Sequence, residues 1–146
     1  MFEIKQIKPF DTYDLRLKVL SHDTFEDCMY KGDFEDNTLH IGAFKENEII
    51  GVASFFCETH KELPPTKMYR LKGLAIDPKH RKQLRGQTLI LFGENLLRQK
   101  ETEIIWCTTK ISNIQYYNHL GFFESDYVFN HPTKGLHILM YKNIER

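Results

Sequence analysis

One stretch of this 146-residue chain constrains its fold more than any other: a strand, a basic turn and a long helix follow one another without a linker. Met68–Ile76 predicts a strand, and Gly86–Lys100 predicts a helix whose apolar residues recur on one face. The turn between them carries five basic residues: Lys79, His80, Arg81, Lys82 and Arg85. Since the first amides of a helix are unpaired and its dipole favours anions there, the stretch indicates either a phosphate-binding site or a solvated basic turn.

The remaining elements extend this unit to the order β-α-β-β-β-α-β-α-β-β. Strands are predicted over 2–7, 39–44, 49–58, 68–76, 103–108, 122–129 and 136–142, and helices over 9–20, 86–100 and 112–120. Asp11 and Ser112 are predicted to cap helices, and Gly121 to end the last one. Residues 45–48 predict a four-residue hairpin loop. With no repeat or linker, the pattern predicts one α/β domain over residues 1–146, with a sheet of mixed strand direction.

Composition argues against several classes of protein. Lys plus Arg and Asp plus Glu both number 20, and five cations on one turn fall short of the basic stripe of nucleic-acid binders. Cys28, Cys57 and Cys107 stand far apart, which is typical of reduced thiols in a cytoplasmic protein. No run of about 18 apolar residues predicts a membrane helix, and His119 and His131 lack metal-ligand spacing. We therefore expect a cytoplasmic protein with no metal, no membrane span and no nucleic-acid partner.

The nucleotide motifs GxxxxGK[ST] and GxGxxG are both absent. The turn and helix instead resemble the acetyl-CoA signature of the GCN5-related N-acetyltransferases (GNAT), [Gln/Arg]-x-x-Gly-x-[Gly/Ala], which reads here Gln83-Leu84-Arg85-Gly86-Gln87-Thr88. Thr88 stands where the family has a small residue. The family's second motif, a strand and a short helix with a Phe-Tyr-x-x-Leu-Gly-Phe-like ending, is similar to residues 105–122, which end in Tyr116-Tyr117-Asn118-His119-Leu120-Gly121-Phe122.

This resemblance covers nearly the whole chain. It implies an α/β fold with a mixed, largely antiparallel sheet, a splayed parallel strand pair in its middle, and flanking helices. It implies an N-acetyltransferase that moves acetyl from acetyl-CoA to a primary amine by direct attack in a ternary complex; the alternative is a non-catalytic CoA-binding or regulatory module. The acceptor would be a small-molecule or peptide amine. Homodimers are common among similar proteins, so a second copy is a candidate partner, although no residue demands one.

The resemblance also implies roles for particular residues. Tyr117 would protonate the departing CoA thiolate, since a phenol with a pKa of about 10 is protonated at neutral pH; a core ring is the alternative. Preorganised backbone amides would hold the pyrophosphate, and Gly86 would otherwise only ease helix–strand packing. The implied cofactor-binding residues are Leu74, Ala75, Ile76, Gln83, Leu84, Arg85, Gly86, Gln87, Thr88 and Asn113.

A general base is harder to identify. Some family members have a glutamate on the strand before Leu74, but Arg70 occupies the aligned position. Glu58, His60 and His137 could each relay a proton, but residues of this kind are more often ordinary exposed or hydrogen-bonded polar groups. The thiol of Cys107 lies in an apolar strand, which indicates a buried, inert group.

The acidic stretch Asp23–Asp36 is the counterpart of the basic turn. Its carboxylates indicate either an approach for a cationic amine or a solvated loop. Tyr30 and Phe34 are candidates for ring surface in an acceptor pocket, together with one of Phe55 and Phe56, because alternation along a strand lets only one of these two face it.

Overall fold

A computed structural model describes residues 2–20 and 22–144. Its strands are β1 (Glu3–Gln6), β2 (Leu39–Lys45), β3 (Glu48–Phe56), β4 (Met68–Ile76), β5 (Ile104–Lys110), β6 (Phe123–His131) and β7 (Gly135–Asn143). Its α-helices are α1 (Tyr13–Val19), α2 (Gly86–Gln99) and α3 (Ile114–His119). Single 3₁₀ turns lie at Pro9–Thr12, Glu26–Cys28, Pro78–His80 and Ile111–Asn113. The predicted element order is confirmed, and the range predicted for β4 matches residue for residue.

The strands form one sheet in the order β1-β2-β3-β4-β5-β7-β6. Pairs β1–β2, β2–β3, β5–β7 and β6–β7 are antiparallel, and β4–β5 is the parallel pair. The parallel register joins Met68–Arg70 to Ile104–Trp106, whereas β4 continues to Ile76 and β5 to Lys110. The mixed, largely antiparallel sheet with a parallel pair in its middle is therefore confirmed.

Two compact units divide the chain. The first takes in the residues up to Cys57 together with Leu71–Gly93, and the second takes in Glu58–Arg70 together with the residues from Glu94 onward. Strand β4 thus contributes its first three residues to the second unit and the remainder to the first.

In the first unit, helix α2 lies unusually close to strand β3. A Cβ atom placed on Gly93, in the middle of α2, would lie 2.4 Å from Cε1 of the Phe55 ring, well inside van der Waals contact. Glycine normally weakens a helix interior, so its presence here is explained by this close approach. Close helix–strand packing, the alternative role considered for Gly86, is observed here at Gly93. A smaller apolar cluster of Leu15, Val52 and Ala75 joins helix α1 to the sheet.

The second unit has its own apolar core. Met68, Ile104, Trp106 and Leu139 form a buried cluster, with Leu63, Tyr127 and Tyr141 packed against it. These residues come from β4, β5 and β7 and from the segments beside them. Their packing fixes the carboxyl-terminal hairpin β6–β7 to the start of the parallel pair.

The hairpin between β2 and β3 is tighter than expected. Lys45 pairs directly with Glu48, which leaves a two-residue turn instead of a four-residue loop. Glu46 and Asn47 both have positive φ, 52° and 69°, which is the backbone of a type I′ turn. The prediction failed because the sequence lacks the usual glycine at this turn.

Two predicted helix caps are also wrong. Asp11 lies within the 3₁₀ turn, and its carboxylate accepts a hydrogen bond from the preceding Lys8 amide at 3.0 Å. Asp11 therefore does not cap helix α1, which begins only at Tyr13. Ser112 lies inside another 3₁₀ turn, and helix α3 begins at Ile114. Gly121 does end that segment, with φ of 96°.

Candidate active site

The basic turn is folded back on itself by backbone hydrogen bonds. The amides of Gln83 and Leu84 both donate to the carbonyl oxygen of His80, at 3.0 and 2.8 Å, and the Thr88 amide donates to the Arg85 carbonyl at 3.0 Å. Gly86 and Gln87 open helix α2, where the first amides have no partner within a helix. The amides free to bind a ligand are therefore those where the turn meets helix α2, at Arg85, Gly86 and Gln87.

Asp77 fixes the turn to the rest of the first unit. Its amide donates to the Ile50 carbonyl at 2.8 Å, and its buried carboxylate accepts the Lys79 amide at 3.0 Å. The same carboxylate forms an ion pair with Lys18 at 3.2 Å. The hydrogen bond from the Lys79 backbone, with help from Lys18, lowers the pKa of Asp77, so the carboxylate stays ionised at neutral pH.

Four cations of the turn project outward. The side chains of Lys79, Arg81, Lys82 and Arg85 are all exposed. Lys45, from the neighbouring hairpin, donates to the Gln83 side chain at 2.9 Å. Free helix-opening amides surrounded by exposed cations fit a phosphate group. Thr88 is also exposed, so its extra bulk does not occupy the core.

At the end of strand β4, the groups that a ligand could contact are backbone groups more than side chains. Leu74 is half-buried, while Ala75 and Ile76 are buried, and Ala75 belongs to the cluster with Leu15. Immediately before them, Gly73 has a φ of 73°, which interrupts the regular strand. A ligand beside Leu74–Ile76 would therefore be bound chiefly by main-chain N–H and C=O groups.

Tyr117 lies on helix α3 of the second unit. Its half-buried ring packs edge-to-face on Phe122 and on Tyr116, with centroid separations of 5.9 and 5.3 Å. Burial, and secondarily the nearby Cys107 thiol, raises the pKa of Tyr117 above its ordinary value. The phenol is consequently protonated throughout the neutral range. Asn113 is exposed at the end of the preceding 3₁₀ turn, and its side chain does not cap the helix.

Arg70 and Glu58 form an ion pair in the second unit. Nη1 of Arg70 lies 3.2 Å from Oε2 of Glu58, and Nη2 donates to the Thr108 hydroxyl at 3.3 Å. The guanidinium also lies 4.9 Å from the centre of the Trp106 ring, whose Nε1 donates to the Glu58 carbonyl at 2.8 Å. Arg70, at the position where the resemblance would allow a glutamate, is thus a cation that neutralises the neighbouring carboxylate.

His60 is poorly placed to accept a proton. Its ring packs edge-to-face on Trp106 at 4.9 Å and on Tyr127 at 5.4 Å, and burial lowers its pKa. Nδ1 accepts the Glu62 amide at 3.1 Å. Because a backbone N–H only donates, the neutral ring carries its proton on Nε2 and has its lone pair already engaged.

His137 has the opposite tautomer. Its Nδ1 lies 3.0 Å from the Gly135 carbonyl oxygen, which only accepts, so Nδ1 carries the proton in the neutral ring and Nε2 carries the lone pair. The ring is buried on β7 and packs against His131 and Phe129.

The acidic stretch is not a uniformly solvated loop. Arg16, fully buried on α1, forms a bidentate pair with Asp33 at 2.8 and 3.1 Å, and also donates to the Cys28 carbonyl at 2.7 Å and to the Ser54 hydroxyl at 2.9 Å. The stretch's other carboxylates are exposed: Asp23, Glu26, Asp27, Glu35 and Asp36. Sequence reasoning missed this ion pair.

The aromatic rings predicted for an acceptor pocket lie in different environments. Tyr30 lies over the Arg16 guanidinium at 3.9 Å, and Phe34 is largely exposed, at 71%. Phe55 packs beneath helix α2, whereas Phe56 packs against Tyr30. The two adjacent phenylalanines therefore point to opposite faces, as strand alternation predicts, and both are buried.

The three cysteines are unpaired. Burial raises the pKa of Cys107 to about 12, which keeps it a neutral thiol and makes it a poor nucleophile. Cys28 is buried as well, and Cys57 is exposed. Over residues 2–20 and 22–144, no helix is long and apolar enough to cross a membrane. The same ranges contain no group of three or more His, Cys, Asp or Glu side chains arranged to bind a metal ion.

Comparisons with known proteins agree on one family. A model of the Acetyltransferase (GNAT) family matches residues 4–122. The chain is 35% identical over 145 residues to the uncharacterized N-acetyltransferase YitI of Bacillus subtilis (strain 168), covering 99% of this chain and 97% of that protein.

Solved structures show the same fold. The ribosomal-protein-S18-alanine N-acetyltransferase of Escherichia coli superposes with a TM-score of 0.76 at 18% identity, covering 100% of this chain and 96% of the other. An aminoglycoside 6′-acetyltransferase type Ii gives a TM-score of 0.74 at 16% identity, covering 99% and 98%. The chain belongs to the GNAT family and is an N-acetyltransferase.

Proposed function

We propose that this enzyme transfers acetyl from acetyl-CoA to a primary amine by direct attack in a ternary complex. GNAT enzymes generally use acetyl-CoA and act on small-molecule, peptide or protein amines. The observation that carries the proposal is the turn before α2, where unpaired helix-opening amides are surrounded by exposed cations. Membership in a catalytic family leaves no reason to retain the alternative of a non-catalytic module.

The pyrophosphate of acetyl-CoA binds at that turn. The amides of Arg85, Gly86 and Gln87 provide its hydrogen bonds, because those of Leu84 and Thr88 already donate within the turn. Exposed cations beside them add attraction without direct contact. The pantetheine arm hydrogen-bonds to backbone groups of Leu74 and Ile76, and the Leu74 amide polarises the thioester carbonyl. Gln83 and Asn113 are further cofactor contacts.

In the chemical step, the amine nitrogen attacks the thioester carbonyl carbon and the C–S bond breaks. Tyr117 donates its phenolic proton to the leaving sulfur, so free CoA leaves as a thiol and the phenol regains a proton from solvent. The raised pKa of Tyr117 keeps the phenol in its acid form over the whole neutral range, but it also makes the phenol a weaker acid, so the role rests on the motif and not on the shift. The proton lost by the amine passes to solvent, and no side chain is assigned as its base.

The first experiment tests binding and turnover together. Acetyl-CoA should raise the melting temperature of the wild-type protein and release heat in calorimetry. An amine panel including polyamines, aminoglycosides and peptides with free N-termini should then identify an acceptor through CoA release. Absence of any acetyl-CoA binding would contradict the proposal.

The role of Tyr117 has a matched control on the same helix. Tyr117→Phe removes the hydroxyl and keeps the ring, and we expect kcat to fall about 100-fold or more because general-acid catalysis is lost. Tyr116→Phe makes the same chemical change on the adjacent, 48% exposed residue and should leave kcat near that of the wild type. Equal rates for the two variants would show that Tyr117 is only a packing residue.

A further inference from the structure

Gly73 interrupts strand β4 one residue before Leu74. Its φ of 73° lies in the left-handed region that glycine adopts readily. Exposure along β4 changes around the same point: Lys72 is exposed, Gly73 and Leu74 are half-buried, and Ala75 and Ile76 are then buried in succession. A kink at Gly73 therefore determines which way the following peptide N–H, that of Leu74, is directed.

Two side chains from other elements are packed against this kink. A Cβ placed on Gly73 would lie 3.0 Å from Cε2 of Tyr30 and 3.1 Å from Nε of Arg16. Both contacts are tighter than ordinary van der Waals separation, so the kink accommodates these side chains only because residue 73 has none. Nε of Arg16 is buried and has no hydrogen-bond partner among the described residues, which leaves this edge of the guanidinium facing the glycine.

Arg16 and Tyr30 are themselves rigidly held. Arg16 makes the four hydrogen bonds to Asp33, Cys28 and Ser54 described above, and is 0% exposed. The Tyr30 ring stacks on the Arg16 guanidinium at 3.9 Å, and its hydroxyl lies 2.8 Å from Nε2 of His22. Because a buried ion pair with this many hydrogen bonds is held in a single arrangement, the Arg16 and Tyr30 atoms that face Gly73 are held in fixed positions.

We infer that Arg16 and Tyr30 are positioning residues that set the direction of the Leu74 amide through their contact with Gly73. The inference rests on the proposed function, in which that amide polarises the thioester carbonyl. Neither side chain touches the substrate in this scheme. They fix the strand kink, and the kink fixes a hydrogen-bond donor whose alignment matters only once the carbonyl oxygen develops negative charge.

The experiment compares two substitutions at one residue. Tyr30→Phe keeps the ring over Gly73, and we expect acetyl-CoA affinity and kcat within about threefold of the wild type. Tyr30→Leu removes the ring contact, and we expect kcat to fall about tenfold or more while the Kd of acetyl-CoA stays nearly constant, because displacing a catalytic donor costs rate more than binding. The Leu74 amide resonance in ¹⁵N NMR should shift in Tyr30→Leu and not in Tyr30→Phe.

A control separates this role from simple stabilisation. Leu39→Ala creates a cavity at a buried position of β2, and should lower the unfolding midpoint without changing kcat or the Leu74 resonance. Arg16→Lys keeps the charge and loses the bidentate geometry, so it should reproduce the kcat loss of Tyr30→Leu.

The outcomes also separate this inference from the proposed function. An active wild type in which Tyr30→Leu keeps its kcat, or keeps the Leu74 resonance unshifted, overturns the inference and leaves the proposed function intact. A wild type that does not bind acetyl-CoA overturns the proposed function, and the catalytic role of the kink with it.

Discussion

The basic turn at Lys79–Arg85 and the acidic segment at Asp23–Asp36 carry opposite charges in the sequence, and these charges serve different purposes. The turn is folded by backbone hydrogen bonds and leaves its long cationic side chains exposed. The acidic segment also has backbone hydrogen bonds, but in addition one of its own charges is buried, since Asp33 forms a bidentate pair with Arg16. The comparison shows that the exposed charges of the turn are available to bind a ligand, whereas the buried charge of Asp33 stabilises the fold.

The largest expected effect is a loss of stability on removal of the Asp33 carboxylate. Asp33→Ala leaves the fully buried Arg16 without its carboxylate, and we expect a loss of about 3–5 kcal/mol in unfolding free energy. Urea denaturation followed by circular dichroism measures it. Glu35→Gln, on an exposed carboxylate of the same segment, should change stability by less than about 0.5 kcal/mol. Similar losses in both variants would mean that the segment is held by its overall charge.

A smaller effect concerns pH, through His40 beside the same ion pair. Burial lowers the pKa of His40, which favours the neutral ring. The Asp33 carbonyl only accepts, so Nε2–H donates to it at 2.9 Å, and in the neutral ring Nδ1 then accepts from the Ser54 hydroxyl at 2.7 Å. The same hydroxyl accepts from the Arg16 guanidinium. Asp33 attracts the charged form, Arg16 repels it, and the Phe56 ring lies at its side.

The sign of the pH effect follows from linkage. The unfolded chain binds a proton at His40 near its ordinary pKa of about 6.5, whereas the folded chain binds it only at lower pH. Stability from this residue is thus fully present above pH 6.5 and is lost as the pH falls below it. Urea midpoints at pH 7.5 and 5.5 should differ less in His40→Asn than in the wild type. His60, whose pKa is also lowered, contributes the same sign and remains in both proteins.

The smallest effect belongs to the basic turn. Lys82→Gln removes one exposed cation, and we expect the Kd for acetyl-CoA to rise about two- to fivefold at low salt, since an exposed ion pair contributes up to about 1 kcal/mol. The rise should shrink at high salt, and stability should stay unchanged. Lys134→Gln neutralises an exposed lysine in the β6–β7 turn and serves as the matched control in calorimetric titrations. A rise of the same size in both would indicate a general charge effect.

Local pattern was enough to predict most of the fold. Pro64 and Pro65 precede β4, Pro78 follows it, and Gly86 begins helix α2. The ends of β4 and the start of α2 could therefore be derived from residues that are neighbours in the chain. The length of the β2–β3 turn was wrong because Glu46 and Asn47 adopt positive φ without glycine, which local preference does not favour.

The candidate site was only partly predictable. The phosphate turn depends on backbone amides at a helix start, and a short motif identifies these. The Arg16–Asp33 pair joins residues seventeen positions apart, and nothing in their neighbours distinguishes a buried arginine from an exposed one. Gly73 carried a weak signal, as a glycine inside a strand pattern suggests a close backbone approach. The tautomers of His60 and His137 depend on hydrogen bonds that appear only after folding.

The contrast between one exposed and two buried thiols has a practical consequence for any colorimetric assay of this enzyme. A disulfide reagent that detects released CoA will also react with Cys57, whereas Cys28 and Cys107 are shielded in the folded protein. Native protein should therefore give an early burst of one equivalent per chain, ahead of the steady signal from turnover. Replacing Cys57 with serine removes that burst, and any thiol signal that then appears without substrate reports unfolding of the chain.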